Sequence, residues 1–214
     1  CQDVTTCLDV DGTFNLLPVS LNSNSTDNCD DTLSFTIADS TYSCLHLGAN
    51  AIQLFVEDDA MLSDTCTSTV TFEDCTSPTA TCTDITLCLE ASGNATITPH
   101  QINNGSSDAC DTSLDLSLSQ DSFSCANLGS NTVTLSVTDD SGNTNTCQAS
   151  VTVTDCTAPT ANCQDVTACL DATGNLTLAP TQVNNTSSDA CDASLTLTLS
   201  QSAFSCTDIG ANTV

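Results

Sequence analysis

The stretch Val133-Thr134-Leu135-Ser136-Val137, with Leu114-Asp115-Leu116-Ser117-Leu118 before it and Val151-Thr152-Val153 after it, decides the fold. Apolar and polar residues alternate with a period of two. One face of each segment is aliphatic and the other is Thr, Ser or Asp, which describes a half-buried antiparallel strand. The pattern returns at Leu195-Thr196-Leu197-Thr198-Leu199. Turn signals punctuate these runs at Ser92-Gly93-Asn94, Asn104-Gly105-Ser106 and Asp140-Ser141-Gly142-Asn143. The abundance of Ser and Thr favours strands and turns over helices. About seven short strands in about 80 residues is the arithmetic of a β-sandwich.

Working outward from these strands, the whole chain repeats with one period of 81. Cys1, Cys82 and Cys163 are in phase, as are Cys7, Cys88 and Cys169; Cys29, Cys110 and Cys191; and Cys44, Cys125 and Cys206. Cys66 matches Cys147, and Cys75 matches Cys156. Gly12, Gly93 and Gly174 keep the same phase, as do Pro18, Pro99 and Pro180, and Asp27, Asp108 and Asp189. Aligning 82–133 with 163–214 gives 32 identities over 52 positions, without a gap. This is a tandem array. The boundaries fall at Thr76-Ser77-Pro78-Thr79 and Thr157-Ala158-Pro159-Thr160, giving units 1–76, 77–157 and 158–214, the third lacking its last strands. The missing strands suggest either a window on a longer array or completion by a neighbouring copy. Linkers this short and Pro-stiffened do not let neighbours tumble freely.

The 214 residues carry 27 acidic side chains, no Lys and no Arg, for a formal charge of −27. With no ammonium or guanidinium to meet phosphate, nucleic acid and acidic lipid are excluded as partners. No apolar run approaches the roughly 20 residues of a membrane-spanning helix, so no membrane insertion is expected. An aliphatic content this high argues against a disordered acidic tail. With no Trp, one Tyr and six Phe, the core is expected to come from Leu, Val, Ile and Cys. An even count of 16 Cys fits disulfides in an oxidising compartment, hence an extracellular or cell-surface location. Structural zinc sites recruit His or tight C-x2-C pairs, and neither occurs here. The starting Cys1 reads as a mature product or a fragment.

The segment Phe123-Ser-Cys125-Ala-Asn-Leu-Gly129-Ser-Asn-Thr-Val133, followed by Val137-Thr-Asp139-Asp-Ser-Gly142-Asn143, Cys147 and Val151-Thr-Val153, resembles a hyalin-type (HYR-like) repeat. It is similar to the Ser/Thr/Asp-rich arrays of bacterial surface adhesins. The linker from Asp155 to Pro159 and the run from Cys163 to Asp165 fit as well. The resemblance covers the chain and implies an all-β fold of tandem immunoglobulin-like β-sandwich domains in extracellular adhesive proteins. Two departures stand out. The first unit has Asp59-Ala-Met61-Leu62 where the second has the Gly-Asn hairpin, so that turn is expected to differ, and Cys7, Cys88, Cys169, Cys75 and Cys156 are additional to the family pattern.

Small cores need staples, and all 16 cysteines (Cys1, Cys7, Cys29, Cys44, Cys66, Cys75, Cys82, Cys88, Cys110, Cys125, Cys147, Cys156, Cys163, Cys169, Cys191 and Cys206) are expected in disulfides. Six cysteines per unit allow 15 connectivities. An immunoglobulin-like sandwich can place its first strand parallel to its last, which implies Cys82–Cys147 and Cys88–Cys156, with a bulge to absorb the unequal spacing. Cys110–Cys125 would then close the middle of the domain. In the alternative, Cys75 reaches into the following unit and locks the joint.

Of the acids, 24 are Asp, gathered at turns and linkers. Calcium takes carboxylate and carbonyl oxygens, and Asp74, Asp155, Asp58, Asp59, Asp139 and Asp140 are its candidate ligands; the competing reading is that Asp favours turns by bonding its own backbone. N-glycosylation sequons fall at Asn24, Asn94, Asn104, Asn175, Asn184 and Asn185, and Ser/Thr-linked sugars have as many hydroxyls to use. His46 and His100 break the repeat, aligning with Asn127 and Thr181, and read as surface substitutions. No nucleophile–base constellation repeats, nothing in the sequence raises one carboxylate selectively, and without aromatics a sugar-stacking cleft is hard to build, so no enzyme and no required cofactor are expected. The sequence thus points to a structural segment of an extracellular fibre, stalk or filament, with neighbouring copies of itself as partners. Its alternative is a calcium-dependent module binding a carbohydrate or protein receptor.

Overall fold

Each full repeat runs four short strands and then two long ones, and the computed structural model describes residues 1–29 and 32–214. The first repeat forms β1 (Val4–Cys7), β2 (Thr13–Asn15), β3 (Ser34–Thr36), β4 (Thr41–Ser43), β5 (Gly48–Glu57) and β6 (Ser63–Glu73). The second forms β7 (Ile85–Leu89), β8 (Asn94–Thr96), α1 (Pro99–Ile102), β9 (Asp115–Leu118), β10 (Ser122–Ser124), β11 (Gly129–Thr138) and β12 (Thr144–Asp155). Beyond them lie β13 (Asn175–Thr177), α2 (Pro180–Val183) and β14 (Ala203–Ser205). The described residues thus give six strands per full repeat where seven were expected. A helical turn takes up part of the difference: Pro99 presets its first φ, and Gln101 Oε1 accepts from Thr98 N at 2.7 Å.

The protein is all-β and of the immunoglobulin-like sandwich type. Its sheets run β1-β6-β5-β3 and β2-β4, then β7-β12-β11-β9 and β8-β10, then β13-β14. The chain forms two compact units, Cys1–Thr83 with Thr98–Ser119 and Val133–Ala149, and Asp84–Ile97 with Gln120–Thr132 and Ser150–Val214.

In the first unit, Phe72 of β6 stacks on Tyr42 of β4 with ring centroids 4.6 Å apart and tilts against Phe14 of β2 at 5.8 Å. These contacts join the two sheets over a core of Leu8, Leu16, Leu21, Ile52, Leu54 and Val70. Alternation does the sorting: Ile52 and Leu54 face inward from β5, and Ser68, Val70 and Phe72 from β6. Each such aliphatic side chain contributes about 1.5–3 kcal/mol by leaving water. In the second unit Leu89, Ile97, Phe123, Val151, Val153, Leu178 and Val183 are buried.

First and last strands are parallel, as the family resemblance implies. Val4 to Cys7 stand opposite Val70 to Glu73, and Ile85 to Leu89 opposite Val151 to Asp155. The offset stays constant along both ladders, so the expected bulge is replaced by a simpler device. Cys75 and Cys156 lie just past the ends of β6 and β12, where the backbone is free to curl back. Just before each ladder a carboxylate extends the pairing: Asp3 Oδ1 accepts from Thr69 N, and Asp84 Oδ1 from Ser150 N, both at 2.7 Å.

The hairpin turns differ less than the sequence implies. Asp58 N donates to Leu62 O and Met61 N to Asp58 O, and in the second repeat Asp139 N donates to Asn143 O and Gly142 N to Asp139 O. Met61 adopts φ +65° in the place where Gly142 adopts φ +90°. The turn is kept, and a side chain is forced into the left-handed region that glycine enters freely.

Candidate metal centre

Three carboxylates meet in the first unit. Asp74 follows β6 immediately before Cys75, whose disulfide to Cys7 fixes that strand end. Its Oδ1 accepts from Thr76 N at 3.0 Å and from Thr76 Oγ1 at 2.7 Å, an Asx-type turn that opens the linker. Asp139 sits on the β11–β12 turn, its Oδ1 accepting from Asn143 N at 2.7 Å and its Oδ2 from Asn143 Nδ2 at 2.9 Å. The same Asn143 amide donates to Asp74 O at 3.1 Å and so ties the turn to the linker. Asp111 follows Cys110 in a loop that Asp108 organises by accepting from Cys110 N and Asp111 N. Asp111 Oδ2 accepts from Asp140 N at 3.0 Å.

One carboxylate oxygen from each of Asp74, Asp111 and Asp139 lies within 4.8 Å of the other two. Asp74 is 7 % exposed and Asp139 4 %. Asp74 Oδ2 is the one buried side-chain polar atom among the described residues without a hydrogen-bond partner. The sequence holds no Lys or Arg to neutralise the group. Like charges about 5 Å apart repel by about 3 kcal/mol per pair at an effective dielectric of about 20, less where water screens Asp111. Desolvation holds the Asp111 carboxyl above its ordinary range, reinforced by the charges of Asp140, Asp139 and Asp108 and opposed by the hydrogen bond from Asp140 N. The structure thus raises one carboxyl selectively where the sequence indicated none. A buried oxygen without a partner, on one member of a group of three carboxylates, fits a hard divalent cation. Asp74, Asp111 and Asp139 would hold calcium, with water completing its usual 6–8 oxygens.

Of the six candidate ligands, the structure brings together Asp74 and Asp139. Asp140 contributes its backbone N–H. Asp58 accepts from Leu62 N at 2.8 Å in its own turn, and the neighbouring Asp59 is exposed. Asp155 is exposed, and its Oδ1 accepts from Thr157 N and Oγ1. These bonds hold its carboxyl below the ordinary range, the backbone N–H of Thr157 contributing most. Asp111 is the ligand that the sequence reading missed. Its signal was the in-phase Asp that follows Cys29, Cys110 and Cys191. Two other groupings, Cys7-Glu73-Cys75 and Asp74-Asp108-Cys110, contain sulfurs already committed to disulfides.

Among the described residues six disulfides form. Cys1–Cys66 and Cys7–Cys75 staple first to last strand in the first repeat, and Cys82–Cys147 and Cys88–Cys156 do so in the second. The expected Cys110–Cys125 bond is replaced. Cys44 pairs with Cys110, and Cys125 with Cys191, so each of these bonds joins one repeat to the next. Cys75 therefore does not lock the joint; Cys44 does. The cause is local. Cys44 opens a 3₁₀ turn beside Gly12, where an added Cβ would come 2.5 Å from its sulfur, and Gly93 stands equally close to Cys125 at 2.8 Å. Glycine lets the turn cysteine lie flat against the backbone and face the loop of the next repeat. Cys29, Cys163, Cys169 and Cys206 are exposed free thiols rather than bridged as expected. Segments 166–170 and 196–199, in phase with β7 and β9, form no strand. The given sequence holds no third copy of β11 and β12 for them to pair with.

Asn24, Asn94, Asn104, Asn175 and Asn185 are exposed, whereas Asn184 is half-buried and accepts from Ser187 N at 3.0 Å. His46 is a cap: Ser43 N donates to its Nδ1 at 3.1 Å, as Ser124 N donates to Asn127 Oδ1 and Ser205 N to Asp208 Oδ2. His100 is exposed on α1. Among the described residues no helix is long and apolar enough to cross a membrane.

No family model and no curated protein sequence matches the chain. Among solved structures it is similar to human protocadherin-24 EC1-2, at 12 % identity over 71 % of this chain and 94 % of that one, with a TM-score of 0.36. It is also similar to human mucin-like protocadherin EC1-2, at 13 % identity over 72 % and 96 %, with a TM-score of 0.32. Drosophila N-cadherin EC1-4 is similar at 11 % identity over 74 % and 51 %, with a TM-score of 0.32.

Proposed function

We propose that this chain is part of an extracellular array of 81-residue, disulfide-stapled sandwich domains whose joint is stiffened by calcium at Asp74, Asp111 and Asp139. The array holds an adhesive or structural surface away from a cell. Its partners are neighbouring copies and a carbohydrate or protein receptor, and the exposed sequons carry sugar that keeps the acidic surface hydrated. The observation that carries the reading is Asp74 Oδ2, buried without a partner beside two more carboxylates in a chain that has no cationic side chain. The disulfides and the hyalin-type resemblance support the extracellular setting.

Thermal melting in EDTA and across a calcium series tests it. A ligand that binds only the folded state adds about 2.7 kcal/mol at 100 times its dissociation constant. The expected result is a rise in Tm with calcium, and a smaller one with magnesium, which tolerates irregular oxygen cages poorly. Identical melts in EDTA and in millimolar calcium would overturn the metal reading.

A further inference from the structure

One tight loop is built three times in the chain. In each copy an Asn side chain accepts from the Ser three residues on: Asn22 Oδ1 from Ser25 N, Asn103 Oδ1 from Ser106 N and Asn184 Oδ1 from Ser187 N, all at 3.0 Å. The residue before that Ser takes a positive φ each time: +60° at Asn24, +79° at Gly105 and +58° at Thr186. The second and third copies are tied to the start of their own repeats, Asn104 N donating to Thr81 O at 2.9 Å and Asn185 N to Asn162 O at 2.8 Å.

The copies differ in what stands at the tip. The second carries Asn104-Gly105, the one Asn-Gly pair in the sequence, and both residues are exposed. Among the described residues neither the Asn104 side chain nor Gly105 N–H has a hydrogen-bond partner. Glycine brings no side chain to hinder its own nitrogen, and even a Cβ built on Gly105 would meet nothing within 4 Å. A side-chain amide carbon beside a free and unhindered backbone nitrogen is the arrangement in which that nitrogen closes onto the side chain. The related pairs lack it. In the third copy Thr186 brings a β-branched side chain to the nitrogen, and its Oγ1 donates to Asn185 O at 2.6 Å. In the first copy Ser23 stands in the place of Asn104. At Asp11-Gly12 the side chain is a carboxylate, a poor electrophile when ionised, and Gly12 N is engaged with Asp9 O at 2.9 Å.

We propose that Asn104 is a self-modification site, which converts through a ring with Gly105 to isoaspartate and aspartate wherever it carries no sugar. Gly105 N attacks Asn104 Cγ and gives up its proton; the Cγ–Nδ2 bond breaks, and ammonia leaves with that hydrogen, closing a succinimide. Water then adds to one ring carbonyl and breaks its bond to Gly105 N. Opening at Cγ gives aspartate. Opening at the Asn104 main-chain carbonyl gives isoaspartate, whose backbone is one methylene longer. Nothing is oxidised or reduced. The product adds a negative charge to a chain of −27, and the lengthened backbone falls in the loop that Asn104 N ties to Thr81 O. Asn104 Nδ2 is also the acceptor of the sequon Asn104-Gly105-Ser106, so a sugar there obstructs the ring closure.

The test uses the full chain made without glycosylation and held at physiological temperature and mildly alkaline pH in heavy-oxygen water. A brief pepsin digest, whose acid stops the ring closure, then maps the products. The expected result is that the Asn104 peptide loses ammonia, gains one heavy oxygen and becomes a substrate for isoaspartate methyltransferase. Gly105→Thr copies the third loop, where Thr186 already holds a positive φ, and should abolish the conversion while the chain melts as a folded protein. Thr186→Gly should create a second site at Asn185. An Asn104 that stays intact, aspartate formed without isoaspartate, or conversion that persists in Gly105→Thr would overturn the proposal. So would an Asn185 that reacts as fast as Asn104 in the parent chain. Every readout is made in EDTA, so the result is independent of the metal reading.

Discussion

Asp74 and Asp155 occupy the same place in successive repeats and make the same local bonds, yet among the described residues Asp74 alone of the two meets two further carboxylates. Each accepts from the Thr two residues on, through both its N–H and its hydroxyl. Asp74 is then covered by the 139–143 turn and the Asp111 loop, and Pro78 beside it is fully buried, its carbonyl accepting from Asn145 Nδ2 at 2.9 Å. Asp155 and Pro159 are exposed, and the counterparts of Asp139, Asn143 and Asn145 in the next repeat lie outside the given 214 residues. The joint disulfide is present in both places, so it does not make the centre. The long hairpin of the following repeat does, by bringing Asp139, Asn143 and Asn145 onto the linker.

The largest effect should come from the bonds that the two places share. Cys44–Cys110 and Cys125–Cys191 each close a sequence separation of 66, which restricts the unfolded chain by about 4 kcal/mol in the loop-entropy model. Double Ser replacement of either pair should lower the guanidinium midpoint by comparable amounts. Equal loss with unequal calcium response would sharpen the contrast; a loss confined to one pair would break it. Next in size is the metal. Asp74→Asn and Asp139→Asn should abolish a calcium-linked stabilisation of about 2–3 kcal/mol at saturating metal, while Asp155→Asn should leave it intact by the same melting assay. If Asp155→Asn were as damaging as Asp74→Asn, the two positions would not differ as described.

A smaller effect concerns the turn that completes the centre and its copy at 58–62. Met61→Gly should stabilise by about 1 kcal/mol by removing a side chain from positive φ. Gly142→Ala should destabilise by a similar amount and weaken calcium binding with it. The smallest effect is in pH. The Asp111 pKa is raised on folding, so its charge opposes folding above that pKa, and the penalty is relieved as pH falls through it. Asp155 is the reverse: its contribution is present above the unfolded carboxylate pKa and is lost as pH falls through its lowered value. In EDTA, mild acidification should therefore favour the first joint before stronger acid costs the second. In calcium, protons compete for Asp111, and the metal-induced Tm shift should shrink as pH falls through the same range.

The strands were legible because alternation at Val133–Val137 and Val151–Val153 has one structural solution, and the bonds Cys82–Cys147 and Cys88–Cys156 followed from pairing the first strand with the last. Cys110 was misassigned because Cys125 is near in sequence, while its true partner, Cys44, becomes near only after the linker folds. The centre was half legible for a related reason. Asp74 and Asp139 stand out as linker and turn acids, but Asp111 becomes their neighbour only in the folded repeat, where its Oδ2 accepts from Asp140 N. Met61 misled in the opposite direction, since hydrogen bonds kept a turn that its residue type disfavours.

The parallel end strands also determine how the chain behaves when its ends are pulled apart. Tension entering the second repeat at Cys82 reaches Cys156 either through Cys88 or through Cys147, so most residues between Cys88 and Cys147 are bypassed. The loaded path is the shorter of the two, the stretch from Cys82 to Cys88, about 20 Å of extended chain, whereas an unbridged repeat could pay out about 280 Å. A chain bridged in this way is nearly inextensible until its sulfur bonds are reduced, which makes its contour length a redox-controlled quantity.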